Sequence, residues 1–203
     1  MTKRLLALIL ALLLTLPLAA ALMEEAAQPE AAEEESHFFA DMAFTYLDGT
    51  PFDTAAFRDT PILLNMWATW CSPCVGEMPH LDALAAEYAG RIHIIGVHSE
   101  GLTVTEQGEL IVDEDKTAAA LKLQEELGLT FPLLNPDSLL FILMNDPQYG
   151  INLNVLPTTW LIDGEGYIRS IVESAYDKAG WQRIIDRFLS DLVQEDVDEP
   201  DLG

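Results

Sequence analysis

The chain has 203 residues, half of them hydrophobic, which is enough for one domain of ordinary size with residues left over for tails. Its formal net charge of −24 argues against nucleic acid and anionic membrane surfaces as partners, since both are polyanions. The same charge suits a soluble protein that meets cations or a basic patch on a partner.

The first 22 residues have the pattern of an export signal. Lys3 and Arg4 give a positive start, residues 5–18 are an apolar run, and residues 19–21 are alanines that resemble a cleavage site. We predict a cleaved signal peptide or, because the apolar stretch can be extended to Met23, an uncleaved membrane anchor. Both interpretations place the rest of the chain outside the cytoplasm.

Two acidic segments flank the part of the chain that can fold. Residues 23–36 are rich in Glu and Ala and lack an apolar face, which predicts a disordered linker. A short exposed helix is the alternative for this segment. Residues 37–193 hold the patterns of one domain, and residues 194–203 are predicted to be an acidic, frayed tail.

The sequence of the first half of the domain predicts a hairpin followed by a strand–helix–strand unit. Asp48-Gly49 marks a turn within residues 44–52, which predicts an N-terminal β-hairpin. Residues 61–67 and 92–98 are apolar runs typical of buried strands, and residues 73–88 between them repeat apolar side chains at helical spacing. Two strands joined in this way are expected to be parallel, with a right-handed crossover.

The second half predicts further strands and helices of the same α/β domain. Its predicted elements are a polar hairpin over 103–112, a helix over 117–127, a strand over 130–134, a helix over 138–144 capped by Asp137, strands over 158–162 and 167–172 joined as an antiparallel hairpin, and a helix over 180–193. Pro132 favours an edge position for the strand over 130–134, because proline cannot donate to a neighbouring strand.

The only two cysteines, Cys71 and Cys74, lie where the first buried strand gives way to the helix. A disulfide between them closes a very short loop, so it gains little entropy and is not there for stability. At a helix N-terminus the unpaired N–H groups favour a thiolate and lower the thiol pKa. We therefore predict that Cys71 is an exposed nucleophile and Cys74 a buried resolving thiol. Ser72-Pro73 sets the turn between them.

Two motifs resemble a known family. Trp70-Cys71-x-Pro73-Cys74 after a buried strand resembles the thioredoxin fold, and residues 64–79 resemble the TlpA/ResA type of extracytoplasmic thiol–disulfide oxidoreductase. Residues 149–166, with Val155-Leu156-Pro157, resemble the second signature of that family. The resemblance covers about residues 38–190. It implies a thioredoxin-like α/β fold with a central mixed β-sheet flanked by helices, an N-terminal hairpin and insertions.

The resemblance also implies a substrate-binding surface around the cysteines. Pro157 is expected to be a cis-proline that faces the dithiol and, with Leu156, binds the substrate backbone. Trp70, Ser72 and Pro73 flank or separate the cysteines and are expected to contact the substrate as well.

Proton chemistry is assigned to Glu77 by the same resemblance. It lies three residues after Cys74, on the same face of the helix one turn on. Thioredoxins instead carry a buried aspartate where this chain has Asn65, which cannot take a proton. Glu77 is therefore the candidate that assists the resolving thiol, and Pro79 is expected to kink the helix. An ordinary exposed helix glutamate is the alternative.

The resemblance implies an enzyme that reduces disulfides in exported proteins through Cys71 and Cys74. No metal and no cofactor beyond this redox-active pair is expected. The implied partners are oxidised exported proteins and a membrane-bound thiol electron donor, with no nucleic acid and with membrane contact only through the possible N-terminal anchor. Cytochrome c maturation and electron supply to a methionine sulfoxide reductase or peroxidase are candidate processes. A dithiol oxidant and a non-enzymatic metal- or haem-delivery module are alternatives.

Several residues have simpler interpretations. The cysteine pair could be half of a zinc site, but the two further ligands are not evident. His80 is predicted to be a surface or groove residue, and His93 and His98 to be satisfied core or strand-end residues. Trp67 is predicted to be core.

Two segments are longer than the family pattern. These are residues 99–116 and 137–154, and the second of them includes Asn152-Leu153 as an insertion before Val155-Leu156-Pro157. Both segments are predicted to lie near the active-site rim and to shape partner recognition.

Overall fold

The computed structural model describes residues 37–149 and 153–198. The predicted export signal, the acidic linker and Asn152 lie outside the described residues. Among the residues that are described, no helix combines the length and the apolar composition that a membrane span requires.

A six-stranded mixed sheet forms the centre of the domain, with strand order β1-β6-β3-β2-β7-β8. Its strands are β1 (Thr45–Tyr46), β2 (Ile62–Trp67), β3 (His93–His98), β6 (Leu133–Asn135), β7 (Thr158–Ile162) and β8 (Ile168–Val172). The β2–β3 and β3–β6 pairs are parallel, whereas β2–β7, β7–β8 and β1–β6 are antiparallel. The predicted mixed sheet is confirmed, including the parallel strands of the strand–helix–strand unit.

Four α-helices are present in the described part of the chain. They are α1 (Ser72–Glu87), α2 (Glu114–Leu127), α3 (Ser138–Asn145) and α4 (Lys178–Asp198). Helix α2 begins three residues earlier than predicted, because Asp113 caps it by accepting the backbone N–H of Lys116 at 3.1 Å. Helix α4 is longer than predicted at both ends, so part of the predicted C-terminal tail is helical.

Two hydrophobic clusters lie on opposite faces of the sheet. The first contains side chains of α1, α2 and α4 together with both cysteines and Trp67. The second contains side chains of α3 and the segment before β2, packed on the alternate residues of β2 and β7. Alternation along strands sends neighbouring residues to opposite faces, which is why Leu63 belongs to the first cluster and Leu64 to the second. Helices therefore cover both faces, as predicted.

The prediction that the strand over residues 130–134 lies at an edge of the sheet is wrong. β6 starts after Pro132, and it pairs with β3 on one side and β1 on the other, so it is an interior strand. Because Pro132 lies outside the strand, its missing N–H is not needed, while its carbonyl oxygen accepts the N–H of Gly96 at 2.9 Å. The edge strand on this side of the sheet is instead β1, the first arm of the predicted N-terminal hairpin. The second arm is reduced to one bridge between Thr45 and Pro51.

Two insertions have their own structure. β4 (Leu102–Val104) and β5 (Leu110–Val112) form the predicted polar hairpin as a separate two-stranded sheet. Asp137 caps α3, as predicted, by accepting the N–H of Leu139 at 2.6 Å. A short 3-10 turn at Pro147–Tyr149 follows α3.

Candidate active site

Cys71 lies at the N-cap of α1, four residues after β2 ends. Its sulfur accepts the backbone N–H of Cys74 at 3.3 Å, and Pro73 lies in the first helical turn. This is the arrangement in which helix N–H groups stabilise a thiolate on Cys71. In the structure the two cysteines are joined by a disulfide.

The two cysteines differ in solvent exposure, but less than expected. Cys74 is fully buried and Cys71 is only 4% exposed, while Ser72 and Pro73 between them are exposed. The prediction of an exposed nucleophile is therefore wrong in degree, because Cys71 packs in the same core cluster as Trp67 and Ala68. Cys71 is nevertheless the more exposed member of the pair.

Glu77 is buried one turn beyond Cys74, with 2% of its surface exposed. Its Oε1 accepts the side-chain N–H of Asn65 at 2.9 Å. Its Oε2 accepts the indole N–H of Trp181 at 2.9 Å and the backbone N–H of Tyr176 at 3.2 Å. Burial raises the pKa of Glu77, while the hydrogen bonds from Trp181, Asn65 and Tyr176 oppose the rise. The alternative of an ordinary exposed glutamate is excluded.

Asn65 connects Glu77 to β7. Its Nδ2 donates to Glu77 and also to Thr159 Oγ1 at 2.9 Å, and all three residues are buried. Asn65 thus stands at the position where thioredoxins carry a buried aspartate, and its amide donates a hydrogen bond to the Glu77 carboxyl.

Pro157 lies at the same end of the sheet as the cysteines. The Leu156–Pro157 peptide bond is cis, and Thr158, directly after it, pairs with Met66 near the end of β2. Leu156 is partly buried and packs against the cluster that contains Cys71 and Cys74.

Trp70 is the most exposed aromatic side chain beside the disulfide, at 67% of its surface. Its indole N–H donates to Glu100 Oε2 at 2.7 Å, and the other oxygen of Glu100 accepts Lys116 Nζ at 2.9 Å. Glu100 and Lys116 belong to the extended segment 99–116, so this segment reaches the side chain next to Cys71. The sequence did not single out Glu100, since a glutamate after a strand carries no local signal.

His93 and His98 differ in whether their ring nitrogens have hydrogen-bond partners. His93 Nε2 lies 2.8 Å from the carbonyl oxygen of Ala56, as expected of a satisfied residue, and His80 is half-buried. His98 is fully buried against the ring of Trp67, and neither ring nitrogen has a hydrogen-bond partner among the described residues. The prediction of a satisfied His98 is therefore wrong. Trp67 is core, as predicted.

A family comparison covers the residues of the candidate site. The model of the AhpC/TSA family matches residues 36–171, which include both cysteines, Glu77 and Pro157. The chain belongs to the AhpC/TSA family. This thioredoxin-like family includes relatives of the kind that the sequence motifs resemble.

Curated relatives and solved structures give the activity and the fold. The chain is 30% identical over 146 residues to the thiol-disulfide oxidoreductase ResA of Geobacillus kaustophilus, covering 70% of this chain and 71% of the relative. It is 34% identical over 140 residues to the thiol:disulfide interchange protein DsbE of Yersinia pestis, covering 68% of this chain and 62% of the relative. A thioredoxin family protein from Chlorobium tepidum matches with a TM-score of 0.55 and 23% identity, over 73% of this chain and 94% of that structure.

These findings make the protein a thiol–disulfide oxidoreductase with a thioredoxin-like fold, and Cys71–Cys74 is its CxxC pair. Sequence reasoning found the cysteines and Glu77 but missed Trp181, Tyr176 and Thr159. Trp181 lies in the predicted last helix, where neither its spacing nor its neighbours reveal a polar partner in α1.

Proposed function

We propose that this enzyme reduces disulfides in proteins outside the cytoplasm. The location is supported by the export pattern of residues 1–22. The direction is supported by the buried Glu77 carboxyl one turn beyond Cys74, which carries this proposal. When ionised, a carboxylate near a thiol raises the thiol pKa. Strong dithiol oxidants have the opposite property, a strongly depressed pKa of the attacking cysteine.

The first step is attack by the Cys71 thiolate on a substrate disulfide. A bond forms between Cys71 and one substrate sulfur, and the other substrate sulfur leaves as a thiolate. The N–H of Cys74 and the start of α1 stabilise the attacking thiolate. Trp70, Ser72, Pro73, Leu156 and Pro157 are proposed to hold the substrate segment beside Cys71.

The second step is attack by Cys74, assisted by Glu77. The proton of the Cys74 thiol passes to the Glu77 carboxylate, and the new thiolate attacks the sulfur of Cys71. The Cys71–Cys74 disulfide forms, the bond from Cys71 to the substrate breaks, and the second substrate sulfur leaves as a thiolate. The substrate has gained two electrons, and a thiol donor at the membrane is proposed to restore the dithiol through Cys71. No other cofactor takes part in these steps.

The direction is tested by the reduction potential of the Cys71–Cys74 pair, measured against glutathione, together with an insulin reduction assay. We expect a potential closer to about −270 mV, the value of thioredoxin, than to about −120 mV, the value of a strong dithiol oxidant. We also expect catalysis of insulin reduction. A potential of about −150 mV or above, without insulin reduction, would support the oxidant alternative instead.

Replacing Trp70 by alanine is expected to slow the reaction with a protein disulfide by roughly tenfold. An aromatic side chain that becomes buried when a protein substrate docks contributes more than about 1 kcal/mol to binding. The rate with a small aromatic disulfide should change less than about twofold, since such a substrate makes few contacts outside the dithiol. Both rates are measured by stopped-flow kinetics on the reduced enzyme.

Tyr167→Ala is the matched control for Trp70→Ala. Tyr167 is 64% exposed and precedes β8, at the end of the sheet where β2 begins, opposite Cys71. Its replacement should leave both rates unchanged. Equal slowing by the two variants, or slowing of the small substrate by Trp70→Ala, would contradict a docking role for Trp70.

A further inference from the structure

Trp181 is a fully buried residue in the first turn of α4, and its indole N–H has a polar partner. Its Nε1 donates to Glu77 Oε2 at 2.9 Å, so the contact joins α4 to the helix that carries both cysteines. The rest of the indole packs in the cluster that contains Cys71 and Cys74. Buried tryptophans usually find a partner for this N–H, and the partner here is Glu77, a buried carboxyl of the active site.

The indole is held in place by its own surroundings. The Tyr176 ring meets it edge-on, with ring centroids 5.5 Å apart. The backbone N–H of Trp181 donates to the Asp177 carbonyl at 3.0 Å, and the N–H of Gly180 donates to Asp177 Oδ1 at 2.7 Å. Gly180 also lacks a Cβ where one would approach Tyr176 Cβ to 2.9 Å. The start of α4 is therefore a close-packed turn that aims the indole N–H at Glu77.

The donors around Glu77 suit a carboxylate that receives a proton. Asn65, Tyr176 and Trp181 all donate to it, and each of its oxygens accepts at least one of these bonds. Among the three donors, Trp181 has the largest effect in lowering the pKa that burial raises. Without this bond the carboxyl would be protonated over a wider pH range and unable to take the proton of Cys74.

We propose that Trp181 is a positioning residue that orients the Glu77 carboxylate toward the resolving thiol and keeps it ready to accept a proton. This inference rests on the proposed function of Glu77 in the second step. It assigns the C-terminal helix, through one indole N–H, a part in the chemistry of the pair.

The test uses reduced enzyme and dithiobis(nitrobenzoate) as the disulfide probe. Attack by Cys71 releases one nitrothiobenzoate, and attack by Cys74 on the resulting mixed disulfide releases the second, so the two phases report the two steps. Trp181→Phe keeps an aromatic ring but removes the donor. It is expected to move the pH midpoint of the second phase upward by about one unit and to affect the first phase much less, because Glu77 takes no proton in that step. Trp160→Phe, in the other core cluster, is the control for losing a buried indole and should move neither phase.

Two further variants separate the failure of this inference from failure of the proposed function. Glu77→Gln is expected to slow the second phase on the order of a hundredfold at neutral pH, whereas Glu87→Gln, at an exposed position of the same helix, should not. If Glu77→Gln leaves the second phase unchanged, the proton-transfer role itself fails. If Glu77→Gln acts and Trp181→Phe does not shift the midpoint, only the role of Trp181 is overturned. In the Glu77→Gln background, Trp181→Phe should have no further effect on the profile.

A measurement on the unaltered protein keeps the inference testable if Trp181→Phe does not fold. The chain has four tryptophans, so its indole N–H resonances can be assigned and followed by NMR as the pH changes. The Trp181 indole resonance should titrate with the ionisation of Glu77. A resonance that stays constant while Glu77 ionises would overturn the proposal.

Discussion

Replacing Cys71 by serine is expected to reduce disulfide exchange on the order of a thousandfold or more, to the rate without enzyme. Cys71, at the N-cap of α1, is the proposed nucleophile, and the fully buried Cys74 is the proposed resolving thiol, so Cys74 is not expected to take the place of Cys71. A serine hydroxyl at the same position is not ionised at neutral pH and does not attack sulfur. The measurement is insulin reduction and single-turnover exchange with the purified variant.

The matched variant is Cys74→Ser, which removes the second step only. Cys71 should still attack, so the mixed disulfide between enzyme and substrate should accumulate and be visible by intact mass spectrometry or on a non-reducing gel. The pair of variants therefore distinguishes nucleophile from resolving thiol. Accumulation of the mixed disulfide in Cys71→Ser rather than Cys74→Ser would reverse the assignment, and full activity of Cys71→Ser would refute the exchange mechanism.

The central fold was predictable because its signals are local. The apolar runs of β2 and β3 and the three- and four-residue spacing in α1 each specify an element, and the short connections restrict how the elements pair. The position of β6 was not predictable in the same way. A three-residue strand does not encode its neighbours, and Pro132 belongs to the loop before the strand rather than to its hydrogen-bonded part.

In the candidate site, too, the residues close together in sequence were predictable and the contacts between distant residues were not. Cys74 and Glu77 are three residues apart in α1, so their spacing placed them on one face, and the family resemblance singled out Glu77 for proton chemistry. Trp181 meets Glu77 across 104 positions of sequence, and Glu100 meets Trp70 across 30. Contacts of this kind depend on how α4 and the segment after β3 pack on the sheet, and no local pattern encodes that packing. Burial of His98 was readable from its strand, but its lack of partners was not.

His98 is expected to make the protein lose stability as the pH falls from about 6.5 to about 4. Burial is the main reason that the pKa of His98 is lowered from 6.5 to about 4, with smaller opposing effects from Glu100 and Asp113 and an additional lowering by Lys116. The unfolded chain therefore binds a proton in this window before the folded chain does. The contribution of the neutral His98 side chain to the free energy of unfolding is complete above about pH 6.5. It declines as the pH falls through the window and is lost below about pH 4. At roughly 1.4 kcal/mol per pKa unit, the loss amounts to about 3 kcal/mol.

His98→Leu isolates this contribution from the many carboxyl groups that titrate in the same range. The free energy of unfolding is measured by urea denaturation at several pH values, and the difference between variant and unaltered protein is the quantity that matters. That difference should change by about 3 kcal/mol in favour of the variant between pH 6.5 and pH 4. Glu77, whose pKa is raised by burial, stabilises the fold in the opposite sense, toward low pH, but it is present in both proteins and cancels. If the difference for His98→Leu stays constant over this range, or an NMR titration shows the His98 ring gaining its proton near pH 6.5, the buried imidazole does not govern the acid stability of this enzyme.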